Sequence, residues 1–151
     1  MKPKIYLGSD HAGFRLKEAV KEFLKKAGYA VEDVGADSYN AEDDYPDFIH
    51  KAASKTARDK QSKGIVFGGS GQGEAVTANK VKGIRAALYY GKNIEIVELS
   101  RAHNDSNVLS LGARFLTEKD AIKAIKIWLN TPFSNKERHL RRIRKISKLE
   151  K

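Results

Sequence analysis

The chain has no cysteine, only three prolines and a single tryptophan among its 151 residues. The absence of cysteine excludes disulfides and thiolate metal sites. No apolar run approaches the roughly 18 to 20 residues that a membrane-spanning helix requires, so we expect no membrane partner. The opening residues Met1-Lys2-Pro3-Lys4 lead directly into a strand-like segment, so we expect no signal peptide and a cytoplasmic location.

The balance of residue types is typical of a globular domain, with 40% hydrophobic and 32% charged residues. The length fits one domain, residues 1–151, and a domain of this size buries roughly two-thirds of its unfolded surface. A hydrophobic core of substantial size is therefore expected.

The formal net charge is +10, and much of the excess lies near the C-terminus. The basic residues there are Lys136, Arg138, Arg141, Arg142, Arg144, Lys145, Lys148 and Lys151. Such a segment can bind nucleic acid, anionic lipid or a phosphorylated small molecule. The segment lacks the interleaved aromatic residues on which single-stranded nucleic acids stack, so nucleic acid is the less favoured partner.

Apolar runs alternate with segments of helical periodicity along the whole chain. The predicted strands are residues 5–7, 30–34, 64–67, 84–88 and 107–111. The predicted helices are residues 14–27, 46–60, a segment after residue 74, 93–102, 117–129 and a basic C-terminal helix over 135–149. This alternation predicts an α/β fold, a Rossmann-like three-layer sandwich around a five-stranded parallel sheet.

A glycine-rich loop that ends in a carboxylate, Gly68-Gly69-Ser70-Gly71-Gln72-Gly73-Glu74, follows the third predicted strand. Bare backbone N–H groups between a strand and a helix form a site for an anion. The glycine spacing and position do not fit a dinucleotide fingerprint, and the loop lacks the lysine of a P-loop. A carboxylate beside an anion site indicates that Glu74 is a proton-transfer base next to negative charge that develops during the reaction. The simpler interpretation of the loop is a structural tight turn.

Other polar residues are predicted at the same edge of the sheet, where ligands of parallel sheets bind. Asp10-His11 follows the first strand, His103-Asn104-Asp105 ends the segment after the fourth, and Arg114 follows the fifth. Each has a simpler interpretation, such as a helix cap for Asp10 or a dipole partner for His103.

Arg138 and Arg142 lie one helical turn apart on one face, a spacing that suits a phosphate, although a solvated face is also possible. The four histidines show no metal-ligand spacing, so no metal is expected.

Taken together, these motifs resemble the ribose-5-phosphate isomerase B and galactose-6-phosphate isomerase family. The segments that carry the resemblance are Gly8 to Gly13, Asp44-Tyr45-Pro46, Gly68 to Glu74 with Ala78-Asn79-Lys80, Gly83 to Ala86, Ser100 to Asp105, Asn107-Val108-Leu109 and Arg138-His139. Some members of this family use a cysteine at the position of Gly68 as the catalytic base. This chain resembles the other branch, in which a glutamate at the position of Glu74 is the base.

The resemblance implies a role for each matching residue. The catalytic group would be Glu74 as base, His103 as the donor that opens the sugar ring, and Ser70. The substrate-binding group would be Asp10, His11, Tyr45, Gly69, Gly71, Gln72, Gly73 and Asn104. The phosphate would be held by Arg114, Arg138 and Arg142. In the family the C-terminal arginines reach the neighbouring subunit's site, which implies a homodimer with shared active sites, with a tetramer as the larger alternative.

The implied reaction is the interconversion of ribose 5-phosphate and ribulose 5-phosphate through an enediolate. No cofactor is expected, because the carbonyl group already acidifies the adjacent C–H bond. A hexose 6-phosphate of the allose or galactose type is the alternative substrate. A sugar-phosphate sensor or a nucleic-acid-binding domain, both non-catalytic, remain less favoured alternatives.

Overall fold

The computed structural model describes every residue from Met1 to Lys151. Its five strands are β1 Ile5–Ser9, β2 Val31–Asp33, β3 Lys63–Gly68, β4 Ala86–Tyr89 and β5 Val108–Gly112. They form one parallel sheet in the order β2-β1-β3-β5-β4. The predicted five-stranded parallel sheet is therefore confirmed.

Six α-helices cover the sheet or follow it. They are α1 Phe14–Lys26, α2 Tyr45–Arg58, α3 Gln72–Asn79, α4 Glu95–Ala102, α5 Glu118–Asn130 and α6 Glu137–Leu149. Short 3-10 turns span His11–Gly13 and Ala113–Phe115. A capping box begins α5, because Thr117 accepts a hydrogen bond from the Asp120 N–H and the Asp120 carboxylate accepts one from the Thr117 N–H.

The fourth strand begins two residues later than predicted. Residues 81–84 form a turn, in which the Ile84 N–H donates to the Val81 carbonyl over 3.1 Å. The apolar side chain of Ile84 is 4% exposed within that turn. Ile84 is therefore apolar because it is buried in a turn. The sequence pattern alone does not distinguish such a residue from the first residue of a strand.

Alternate residues of the central strands enter separate cores on the two faces of the sheet. Ile5, Leu7, Ile65 and Phe67 pack with α1 and α5 in one core. Tyr6, Val66 and Val108 pack with residues of α2 and α3 in the other. Two buried faces explain the nearly continuous apolar composition of β3 and confirm the three-layer arrangement.

The chain reverses its direction across the sheet between β1 and β3. After β1 it passes through α1 to β2 on one side, and after β3 it passes through α3 to β4 on the other. The connections leaving these adjacent strands diverge and leave a crevice at their carboxyl ends. This crevice is where the fold positions a ligand.

The basic C-terminal helix α6 is largely outside these cores. Its one buried residue is His139, whereas Ile146 and Leu149 are 45% and 80% exposed. Glu150 accepts a hydrogen bond from the Gly83 N–H over 3.0 Å, which connects the end of the helix to the turn before β4. None of the helices combines the length and hydrophobicity needed to cross a bilayer.

Candidate active site

The glycine loop is fixed tightly against β5. Gly71 has φ of 79°, and a Cβ atom there would lie 2.7 Å from Leu88 Cδ1 and 3.0 Å from the Gly112 nitrogen. Only glycine tolerates both the positive φ and the close approach. The Ser110 hydroxyl donates to the Gly71 carbonyl over 2.7 Å. The loop therefore has one defined conformation, which sets the direction in which α3 begins.

Glu74, in the first turn of α3, is 4% exposed. Its carboxylate lies directly against the bare backbone of Gly68 at the end of β3, where any Cβ would overlap the carboxyl atoms. Burial raises the pKa of Glu74, and the nearby charge of Asp10 raises it further, against the opposing effect of the backbone N–H groups of Glu74 and Gly71. A buried carboxylate with a raised pKa is suited to accept a proton and return it.

Asp10 follows β1 at the same edge of the sheet and is 6% exposed. One of its oxygens accepts from the N–H groups of Ala12 over 3.0 Å and Gly13 over 3.4 Å. Asp10 is thus a cap for the His11–Gly13 turn, as its simpler interpretation predicts, and it is also the charge that acts on Glu74. Asp10 therefore brings a carboxylate from the end of β1 next to the glycine loop at the end of β3, in the crevice between the two strands.

His11 is held by Asp43, a residue that the sequence analysis did not single out. A single oxygen, Asp43 Oδ1, accepts the His11 backbone N–H over 3.0 Å and lies 2.7 Å from His11 Nδ1. The hydrogen bond to Asp43 raises the pKa of His11 despite partial burial, with smaller contributions from Asp10 and opposition from Arg114. Asp43 lies in the loop between β2 and α2, where no periodicity marks its direction. The available signal was the acidic run ahead of Tyr45-Pro46.

The same three side chains form the one group of potential metal ligands. Ligand atoms of Asp10, His11 and Asp43 lie within 4.8 Å of one another. The 2.7 Å from His11 Nδ1 to Asp43 Oδ1 is a hydrogen-bond distance, shorter than the roughly 3.3 Å between two ligands of one tetrahedral zinc ion. The geometry favours a shared proton over a shared metal ion.

Arg114 and Tyr45 flank the glycine loop. The Arg114 N–H donates to the Gly69 carbonyl over 3.0 Å, and Arg114 Nη1 lies 3.0 Å from where a Cβ of Gly69 would be. The Tyr45 hydroxyl lies against the Cα of Gly73. A side chain at Gly69 would displace the Arg114 guanidinium, and one at Gly73 would displace the Tyr45 hydroxyl.

Ser70 and Gln72 complete this edge of the sheet. The Ser70 hydroxyl accepts from the Gln72 N–H over 3.3 Å, and Gln72 is exposed. We call the whole set the carboxyl-edge cluster: Asp10, His11, Asp43, Tyr45, Gly69, Ser70, Gly71, Gln72, Gly73, Glu74 and Arg114.

His103 and Asn104 lie at the opposite edge of the sheet, so the prediction that they share an edge with the glycine loop is wrong. They follow the last turn of α4 and precede β5, which begins at Val108. A helix that connects parallel strands ends at their amino edge. Arg85 Nε, just ahead of β4, donates to the carbonyls of Asn104 and Asp105 at 3.0 Å each, as expected there.

His103 is grouped instead with the C-terminal helix. Its ring centroid is 4.2 Å from that of His139, whose Nδ1 lies 2.9 Å from the Ser134 hydroxyl. Burial lowers the pKa of His139, and the positive charges of Arg138 and Arg142 lower it further, alongside His103. We call His103, Asn104, Arg138, His139 and Arg142 the amino-edge cluster. The five residues of β5 separate the two clusters by roughly 16 Å within one chain.

Residues 5–146 match the model of the family described as Ribose/Galactose Isomerase. The chain belongs to this family. It is 43% identical to the ribose-5-phosphate isomerase B of Mycolicibacterium paratuberculosis, over 98% of this chain and 92% of that protein. It is 37% identical to a putative sugar phosphate isomerase of Bacillus subtilis, over 97% of each chain.

Solved structures agree with this assignment. The ribose-5-phosphate isomerase B of Mycoplasma genitalium, with bound ribulose-5-phosphate, superposes with a TM-score of 0.93 at 39% identity, over 99% of this chain and 97% of that one. The Clostridium thermocellum ribose-5-phosphate isomerase B gives a TM-score of 0.91 at 42% identity, over 97% and 96%. The predicted family, the α/β fold and the prediction of an enzyme of the isomerase class are confirmed.

Proposed function

We propose that this family member interconverts ribose 5-phosphate and ribulose 5-phosphate, with Glu74 as the catalytic base. The observation that carries the proposal is the buried Glu74 carboxylate, whose pKa is raised by burial, lying against the glycine loop in the crevice between β1 and β3. The relatives named as ribose-5-phosphate isomerase B support the same substrate.

The chemistry requires a base that first takes a proton and then gives it back. Glu74 removes the proton from C2 of the open-chain aldose, and the electron pair of the C–H bond passes into the enediolate. Protonated Glu74 then returns the proton to C1, and the O2 proton passes to O1 to complete the ketose. A carboxyl group whose pKa is raised by burial performs both halves better than an exposed one.

The glycine loop supplies electrostatic stabilisation of the developing oxyanion. The backbone N–H groups of residues 69–73 and the Ser70 hydroxyl lie at the positive end of α3. In comparable oxyanion holes each donor contributes about 2.7–4 kcal/mol to stabilisation of the transition state. The tight anchoring of Gly71 to β5 keeps these donors in place before substrate binds.

The packing of Glu74 also explains why a cysteine at position 68 and a glutamate at position 74 would be alternatives. Any side chain on residue 68 would occupy the volume that the Glu74 carboxylate fills here. The two possible bases therefore require the same place beside the glycine loop. In this chain glycine at 68 and glutamate at 74 form one matched pair.

The separation of the two clusters implies that a complete site needs two subunits. We propose a homodimer in which the amino-edge cluster of one subunit faces the carboxyl-edge cluster of the other. The tilted contact of the His103 ring with His139 keeps His103 next to the helix that carries Arg138 and Arg142. The ring-opening group and the two arginines would therefore enter the site together from the partner, with Asn104 beside them.

The exposed apolar side chains support such an interface. Val76 on α3 and Leu99 on α4 are 62% and 37% exposed, and Ile146 and Leu149 on α6 are also exposed. Isolated exposed apolar residues are ordinary, but helices that carry several of them near the site suit burial against a second copy.

The decisive experiment is turnover of ribose 5-phosphate by the wild type beside Glu74→Gln, with Glu42→Gln as a control that neutralises an exposed glutamate. We expect Glu74→Gln to lose at least about 1,000-fold in kcat, as loss of a general base does, with substrate binding retained. Unchanged turnover in Glu74→Gln would remove this residue from the mechanism. Turnover of allose 6-phosphate but not of ribose 5-phosphate would move the substrate to the hexose class.

A further inference from the structure

The contact between His11 and Asp43 has features that ordinary loop packing does not need. Asp43 Oδ1 accepts two hydrogen bonds from the same histidine, one from the backbone N–H and one from the ring. Its second oxygen, Oδ2, is buried without any hydrogen-bond partner. The side chain of Asp43 is 9% exposed and that of His11 is 23% exposed. A buried carboxylate with an unsatisfied oxygen is costly unless its charge serves a nearby cation.

The ring geometry determines which nitrogen is free. His11 Nδ1 is used by Asp43, so Nε2 is the one remaining ring donor. The groups that face the ring are Asp43, Asp10 at 3.9 Å, the edge of the Tyr39 ring, and the charge of Arg114. Two carboxylates against one arginine favour the charged form of the imidazole.

Arg114 has no carboxylate of its own within ion-pair distance. It lies against Gly69 in the glycine loop, close enough to His11 to oppose its protonation. A charged His11 and an unpaired arginine side by side repel each other until an anion binds. Two neighbouring cations suit a dianion, and a phosphate monoester carries a charge of about −1.5 to −2 near neutral pH.

We infer that Asp43 is a positioning residue that holds His11 as an imidazolium with its Nε2–H free, so that His11 adds a charged donor beside Arg114, the residue already expected to hold the dianionic phosphate of the substrate. This inference rests on the proposed function for the identity of the phosphate ester. Asp43 acts through His11 and does not contact the reacting carbons. Substitution of Asp43 should therefore act on binding, and act more strongly as the pH rises.

The test begins with the free protein. Ring ¹⁵N NMR titration of His11, assigned by the signal that disappears in His11→Gln, measures its pKa and tautomer without any substrate. We expect a pKa above about 6.5, the ordinary histidine value, in the wild type, and a fall of about one unit or more in Asp43→Asn. Glu42→Gln, which removes an exposed charge next to Asp43, should leave the titration unchanged.

The second measurement is the dissociation constant of inorganic phosphate, determined by isothermal titration calorimetry between pH 6.5 and 8.5 and expressed as the ratio of variant to wild type. The titration of phosphate itself cancels in that ratio. We expect the ratio for Asp43→Asn to rise about fivefold or more across this range, and the ratio for Glu42→Gln to stay near one. KM for the sugar phosphate should follow the same trend while kcat changes little.

The outcomes separate this inference from the proposed function. A wild-type His11 pKa at or below about 6.5 would overturn the inference even if Asp43→Asn failed to fold. A flat ratio of phosphate dissociation constants in a folded Asp43→Asn would also overturn it. If ribose 5-phosphate is not a substrate but the titration and phosphate results hold, the inference stands and only the proposed reaction fails.

Discussion

Replacement of Gly68 by alanine tests the placement of the proposed base with one added carbon. The new Cβ would overlap the carboxyl carbon and both carboxyl oxygens of Glu74. Ordinary carbon contacts lie near 3.5–4.0 Å, so the carboxylate would have to retreat by more than about 1 Å. A misplacement of about 1 Å in a catalytic group costs on the order of 100-fold in rate.

We therefore expect Gly68→Ala to lower kcat about 100-fold while KM for ribose 5-phosphate changes little. Overpacking of a buried position should also cost about 1–3 kcal/mol of unfolding free energy. The matched control is Gly68→Ala combined with Glu74→Ala, which removes the colliding carboxylate. Relative to Glu74→Ala alone, the added alanine should then cost much less stability.

The measurements are steady-state turnover at saturating substrate and denaturant unfolding of the four proteins of this cycle. Additive stability effects in the cycle would show that residues 68 and 74 do not share a volume. Wild-type kcat in Gly68→Ala would refute the argument that the carboxylate acts from its place against the backbone of β3.

Three further predictions concern other parts of the structure. Burial raises the pKa of Glu74, so the charged carboxylate destabilises the folded state. This destabilisation is absent below the unfolded pKa of about 4.3, grows as the pH rises to the folded pKa and is fully present above it. Glu74→Gln should therefore gain more in Tm over the wild type at pH 8 than at pH 4. An equal mixture of Glu74→Gln and His103→Ala subunits should recover about a quarter of wild-type activity, because half of the dimers are mixed and each mixed dimer has one intact site of two. A mixture of Glu74→Gln with Arg114→Ala should recover none, because both substitutions lie in the carboxyl-edge cluster and leave no site intact. Lys17 is fully buried against Asp33 and Glu18, but Lys21 and the Gly35 N–H also contact Asp33. Lys17→Met should therefore cost about 1.5–3 kcal/mol of unfolding free energy, whereas Lys25→Met on the exposed side of α1 should cost little.

The fold was accessible from sequence because its signals are local. Alternating strand-like and helical segments with short connections permit few arrangements other than a parallel sheet with helices on both faces. The glycine loop and Asp10 were placed correctly for the same reason, since each directly follows a strand. The capping box at Thr117 is likewise a local feature, because its two residues lie three positions apart in the sequence.

The errors at the site come from residues whose placement depends on distant parts of the chain. His103 follows a helix rather than a strand, and the direction of that helix puts it at the other edge of the sheet. Asp43 reaches His11 from a loop 32 residues further along the chain, so no local pattern connects them.

The sequence by itself determined the family, the parallel sheet and the identity of the proposed base, because hydrophobic periodicity and a contiguous glycine motif can be recognised without coordinates. Only the tertiary structure decided that Glu74 fills the space over Gly68 and that Asp43 holds His11. It also decided that His103 lies with the C-terminal arginines, away from Glu74 of its own chain. These relations depend on distances across the sheet, which the order of residues along the chain does not encode.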